Sequence, residues 1–133
     1  MRQSELTVDT GGRYFIDLTA DAREFCAGLG DGLLSVFIPH ATVGVALIET
    51  GSGSESDLAE AVNRLLPRDG RYIHAHGSHG HGADHLLPAL VSPSLVIPAV
   101  DGVPQLGTWQ SVVLVDFNED NHIRRVILSF VGT

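Results

Sequence analysis

Midway along the chain, Arg71–His85 reads RYIHAHGSHGHGADH, and this stretch limits what the rest can build. It is too polar and too rich in glycine for a core strand or a long helix, so the core must come from the segments on either side of it. It also gathers His74, His76, His79, His81 and His85, five of the seven histidines. Imidazole is the usual transition-metal ligand of proteins and their usual proton carrier near neutral pH. The stretch is therefore either a site or a solvated His-rich loop that takes up metal adventitiously. Many donors with little apolar surface favour the site.

On the amino-terminal side, Arg13–Leu18 alternates weakly and predicts a strand after Gly11-Gly12. Thr19 is placed to cap a helix over Asp21–Leu29, with Ala22, Phe25, Cys26 and Leu29 on its apolar stripe and Gly30 and Gly32 to stop it. Leu33–Ile38 and Thr42–Ile48 are apolar at nearly every position and predict strands covered on both faces. Gly51-Ser52-Gly53-Ser54 leads into a helix over Glu55–Leu66, with Ser54 and Asp57 as a capping-box pair and Leu58, Val62 and Leu65 inward; Pro67 ends it. That turn is read as a flexible lead-in to the helix, not an anion cradle.

After the His loop, His85–Val91 allows one or two helical turns, with Pro88 in the first. Ser94–Val100 predicts a strand, Val103–Leu106 its partner across Asp101-Gly102, and Gly107–Phe117 with His122–Val131 a final hairpin through Asn118–Asn121. Few helices among strands joined by short turns predict an α+β domain, one domain for 133 residues.

Composition removes several functions. A net charge of −8 argues against a nucleic-acid partner and against an anionic membrane surface. The chain has no lysine, which excludes Schiff-base chemistry and a Walker lysine. One cysteine, Cys26, excludes an intrachain disulfide and a cysteine-based zinc cluster; on the helix stripe it reads as a buried structural thiol. The amino terminus, MRQSELTVDT, lacks the apolar run of a signal peptide and no segment is long enough for a bilayer, so a cytoplasmic protein is expected.

Residues 74 and 76 share a face if extended, as do 79 and 81, but spacing alone does not choose the ligands. A zinc site takes three or four ligands, and a catalytic one keeps a position open. His40, just past Pro39 at a strand end, is the histidine placed to supply a framework ligand; its alternative is a ring satisfied by a neighbouring carbonyl. Glu49 or Asp84 is available to orient a ligand or act as a general base. His122, beside Arg124-Arg125, reads as exposed. A Gly-x-Ser-x-Gly elbow, a dinucleotide fingerprint and a His-Glu-x-x-His helix are all absent.

The chain also carries Leu106-Gly107-Thr108-Trp109-Gln110, preceded by Asp101-Gly102 and followed by Asp116. Upstream stand Ile16-Asp17-Leu18-Thr19, Pro39-His40-Ala41-Thr42, Glu49, Asn63-Arg64-Leu65-Leu66-Pro67, Tyr72-x-His74 and His85-Leu86. In this order the motifs resemble the YjbQ family (UPF0047), whose LGTWQ signature is specific, and the resemblance covers nearly the whole chain. It implies a single YjbQ-like domain over residues 1–133, α+β with a strongly bent mixed sheet and two main helices, assembled as a homotrimer with sites near subunit interfaces. It implies a divalent metal, zinc, on three histidines, and the matching positions are His40, His74 and His85. His76, His79 and His81 match no recurring family histidine. The activity implied is that of a secondary thiamine-phosphate synthase, a transferase joining a pyrimidine diphosphate to a thiazole phosphate with loss of pyrophosphate. Ile48 stands where members commonly have Asn, Ser54–Asp57 lacks the arginine many carry there, and Asp116 replaces a frequent Glu.

Two functions follow. In the first, the chain is an enzyme of small phosphorylated metabolites, with the His-bound metal as Lewis acid, Glu49 or Asp116 as proton carrier and Gln110 as a polar contact. Trp109 is then a core residue or a pocket wall, the core being preferred. In the second, it is a trimeric metal-binding structural or regulatory module without turnover.

Overall fold

Eight strands and four helices account for the chain in the computed structural model, which describes residues 1–133. In order they are β1 (Arg2–Asp9), β2 (Phe15–Asp17), α1 (Thr19–Cys26), β3 (Gly32–Phe37), β4 (Gly44–Ile48), α2 (Ser54–Leu65), α3 (His81–Asp84), α4 (Leu87–Leu90), β5 (Ser94–Val100), β6 (Val103–Pro104), β7 (Ser111–Val115) and β8 (Ile123–Gly132). The α+β class holds, with α1 and α2 as the two main helices. The strands form two sheets, β1-β8-β3-β5-β6 and β2-β7-β4. Every pairing is antiparallel where a mixed sheet was expected. No helix is long and apolar enough to cross a membrane.

The main core lies under the five-stranded sheet. Leu34 and Val36 from β3, Ile97 and Ala99 from β5, and Val126, Leu128 and Phe130 from β8 point inward at a period of two. Against them pack Ala22 and Cys26 of α1 and Val112 and Leu114 of β7. Cys26 is a fully buried free thiol whose pKa burial pushes up, as a structural cysteine requires. A second, smaller core joins Val62 and Leu66 at the end of α2 with Ala83, Leu87, Val115 and Phe117.

β7 is thus the strand covered on both faces, with Val112 and Leu114 toward one core and Val115 toward the other. Coverage on both faces was expected of Leu33–Ile38 and Thr42–Ile48 instead; it fails for β3, and in β4 Leu47 is left exposed. In β3, Leu33 and Phe37 are half exposed on the outer face of the sheet, beside Val96, Val100 and Val131 of the flanking strands. An apolar run describes side chains, and does not say whether a second layer is present to cover them.

Other expectations need correcting. β7 and β8 do not form a hairpin; they belong to different sheets, and Asp116–Asn121 crosses between them carrying buried Asp116, Phe117 and Asn118. β1, unforeseen in a largely polar segment, pairs with β8 from Arg2↔Phe130 to Asp9↔Ile123, and only Leu6 and Val8 pack against the core. α1 stops at Cys26, before Gly28 at φ +81°. The capping box at Ser54 does not form: Gly53 precedes α2 in a left-handed conformation and the Glu55 carboxylate accepts the Gly51 N–H at 3.2 Å. Leu65 is exposed, and Leu66 takes the buried place.

Candidate metal centre

The His-rich stretch is held by contacts with its own surroundings. Tyr72 donates its hydroxyl to the Pro67 carbonyl at 2.7 Å, tying the loop to the end of α2. Arg68 forms an ion pair with buried Asp84 and donates to the His79 carbonyl at 3.0 Å. Gly82 is buried where a Cβ would stand 2.4 Å from the His74 carbonyl oxygen and 2.6 Å from Tyr72 Cβ, so the backbone of 72–74 lies directly on α3. α3 is a single turn in which the His85 N–H reaches the His81 carbonyl at 3.2 Å. His81 and His85, four apart, therefore share one side of that turn, and Gly82 lets His74 approach them.

The result is a convergence of imidazoles. One ring nitrogen each of His74, His81 and His85 lies within 4.8 Å of the others. The His74 ring centroid is 4.2 Å from that of His85 and 4.8 Å from that of His81, and His76 lies 4.5 Å from His74. Loss of hydration, then the neighbouring imidazoles, lowers the pKa of His74 and of His85. The rings are thereby kept neutral, the form that ligates metal.

His81 is the most constrained of the three. Its Nδ1–H donates to Asp120 Oδ2 at 2.9 Å, and its Nε2 is buried with no hydrogen-bond partner. A buried lone pair without a donor is costly, whereas a cation between the three rings would satisfy it. Three imidazoles, one backed by a carboxylate, suit zinc, at the expense of a contraction of about an ångström toward Zn–N bonds of about 2.0–2.1 Å. The adjoining cavity, about 140 Å3 and lined by His74, His76, His81 and Ser78 among others, is polar and small. It suits an ion and a few waters at roughly 30 Å3 each.

The other residues singled out in the sequence lie elsewhere. His40 is outside the trio: its Nε2 accepts the Arg125 backbone N–H at 2.8 Å and its Nδ1 faces the Arg124 guanidinium at 3.5 Å. Burial first, then Arg124 and Arg125, lowers its pKa, with Asp116 opposing. Asp116 is buried in an ion pair with Arg124 at 2.7 Å, and Arg124 also donates to Thr42 Oγ1 at 3.0 Å. Glu49, just past β4, is half-buried and makes no side-chain hydrogen bond within the chain. Gln110 is exposed, its side-chain oxygen accepting the Gly107 N–H at 2.8 Å to close the turn. Trp109 is 72% exposed, so the core role preferred for it does not hold.

A polar chain nevertheless runs between the two histidine regions. Asn118 donates its backbone N–H to Asp116 at 3.0 Å and its amide to Asp84 at 3.0 Å, and its side-chain oxygen accepts the Asp120 N–H at 2.9 Å. The line therefore passes from His40 through Arg124, Asp116 and Asn118 to Asp120 and His81. His81 had a legible signal in its spacing of four from His85; Asp120 and Asn118 had none, because polar residues between two strands look like an ordinary turn.

Comparison with known proteins places these features in a family. The model described as "UPF0047 protein YjbQ-like" matches residues 4–133. A UPF0047 protein of Mycobacterium tuberculosis is 63% identical over 126 residues, 95% of each chain. One from Archaeoglobus fulgidus is 35% identical over 125 residues, 93% of this chain and 97% of that one. A hypothetical protein of Aeropyrum pernix of known structure superposes with a TM-score of 0.90 at 31% identity over 100% of both chains. A conserved hypothetical protein of Thermus thermophilus does so with a TM-score of 0.82 at 27% identity, covering 96% and 99%. Signature motifs, fold and relatives agree: the chain belongs to the UPF0047 (YjbQ-like) family.

Proposed function

We propose that this protein is a metal-dependent enzyme of small phosphorylated metabolites, of the thiamine-phosphate synthase type, with a divalent ion, zinc by its donor set, held by His74, His81 and His85. The observation that carries the metal is the buried, unpartnered Nε2 of His81 among converging imidazoles, with Asp120 behind the same ring. When bound, such an ion supplies Lewis-acid polarisation of a phosphoryl oxygen and, with three protein ligands, leaves a position open. His40 takes another part: between Arg124 and Arg125 it shapes the polar line that reaches the loop. Asp116 has its carboxylate committed to Arg124 and Asn118, and Gln110 is committed to its own turn. Glu49 keeps an uncommitted carboxylate, but it lies past the Ile48↔Ser111 end of the β4–β7 pairing, away from Asp116 and the His cluster, so no proton transfer at the metal is assigned to it. The substrate class rests on the family motifs.

The working form is taken to be a homotrimer. Exposed Leu33, Phe37, Val96, Val100 and Val131 on the outer face of the five-stranded sheet favour burial against another copy.

The test is elemental analysis of purified protein together with pyrophosphate release from a pyrimidine diphosphate and a thiazole phosphate. Wild type should hold one metal per chain and release pyrophosphate; His81→Ala and His85→Ala should lose both, and His79→Ala neither. Wild type free of metal after purification and after dialysis against zinc would sink the reading. One observation favours a module without turnover instead: all three ligands fall between His74 and His85, so the ion would clip a single loop. Chelation that lowers the melting point or dissociates the assembly, in a protein that never releases pyrophosphate, would select that alternative.

A further inference from the structure

We infer that Asp120 is the positioning residue of the metal centre, and that the crossover Asp116–Asn121 serves as its supporting shell; this rests on the metal reading above. A histidine can present Nε2 to a metal only when the proton sits on Nδ1, and a carboxylate at Nδ1 selects that tautomer and stops rotation of the ring. Asp120 does this for His81 from 39 residues away in the chain, at 2.9 Å. Nothing else holds that ring nitrogen, and the opposite one is buried without a partner.

Asp120 is itself held. Asn118 accepts the Asp120 N–H at 2.9 Å and the Asn121 N–H at 3.2 Å on one amide oxygen, and its amide nitrogen lies 3.5 Å from Asp120 Oδ2. The same nitrogen donates at 3.0 Å to Asp84, the residue before His85. One asparagine thus sets the carboxylate behind His81 and the end of the helical turn that presents His85. A charged acceptor behind an imidazole raises the basicity of the other nitrogen and with it metal affinity.

The inference is tested on the full chain with two readouts. The first needs no metal: long-range proton–nitrogen NMR at about pH 8, where an ordinary imidazole is neutral, reports the His81 tautomer. Wild type should show the proton on Nδ1; Asp120→Ala should shift it toward Nε2; Asp120→Asn, which keeps an acceptor, should hold it on Nδ1. The second is Zn2+ affinity by chelator competition, where Asp120→Ala should bind about 10- to 100-fold more weakly and Asp120→Asn should fall between it and wild type. Unchanged melting of the metal-free variants separates this from a folding defect. Wild-type protein with the proton on Nε2, or Asp120→Ala with affinity within about twofold of wild type, overturns the inference. Wild type that has the expected tautomer but takes up no Zn2+ overturns the metal reading and leaves Asp120 as the residue that sets His81.

Discussion

Asp116 is the acid whose removal should be felt most by the fold. Its side chain and that of Arg124 are 1% and 4% exposed. The guanidinium gives Asp116 two bonds, at 2.7 and 3.3 Å, and donates to Thr42 at 3.0 Å, while the Asn118 N–H gives Asp116 a third bond at 3.0 Å. Asp116→Ala leaves a buried cation with one neutral acceptor and a buried N–H with none. Breaking a buried pair from one side costs about 3–5 kcal/mol. Domains are stable by only about 5–15 kcal/mol, so the variant should be folded but marginal. With a urea dependence of about 1–3 kcal/mol per molar, the midpoint should fall by roughly 2 M. Asp116→Asn keeps an acceptor for Asn118 and should lose less. The double variant Asp116→Leu/Arg124→Met removes both charges and should lie closer to wild type than Asp116→Ala does, because an apolar pair of similar volume costs little where an ion pair was buried. An Asp116→Ala midpoint within about 0.3 M of wild type would refute the reasoning and return Asp116 to candidacy as a proton carrier.

Two further outcomes follow from the geometry. His40 has its folded pKa lowered by burial and by Arg124 and Arg125, so the unfolded chain takes up its proton first as pH falls. Its contribution is complete above the unfolded value of about 6.5 and is lost as pH drops toward the folded value, so the stability gap between wild type and His40→Asn should narrow from pH 7.5 to pH 5, both about a unit or more from that value. A gap that widens on acidification, in urea titrations at the two pH values, contradicts the assignment. Gly82→Ala would put a Cβ 2.4 Å from the His74 carbonyl oxygen, a backbone atom with no rotamer to escape to. It should cost about 1–3 kcal/mol and weaken metal uptake by moving His74 away from His81. A variant with wild-type melting and zinc stoichiometry would show that residues 72–74 do not rest on α3.

Local chemistry made some features legible in the chain alone. The stripe on α1 marked its inward face, Cys26 had to be buried, and a polar, glycine-rich 71–85 could be neither a core strand nor a long helix. His74 and His85 were legible in family motifs. Tertiary structure decided which elements meet. β1 exists because eight consecutive residues register with β8, at the far end of the chain, and so few of its own residues are apolar that no periodicity announces it. β7 and β8 look like a hairpin from their spacing, yet the crossover between them buries an ion pair and an asparagine that no turn needs. At the centre, folding chose His81 to join His74 and His85, and set His40 against Arg125 across 85 residues of chain. Periodicity records only which face of an element is dry. The convergence of side chains from distant elements depends on pairing partners and on the close approach that Gly82 permits, and no local pattern contains either.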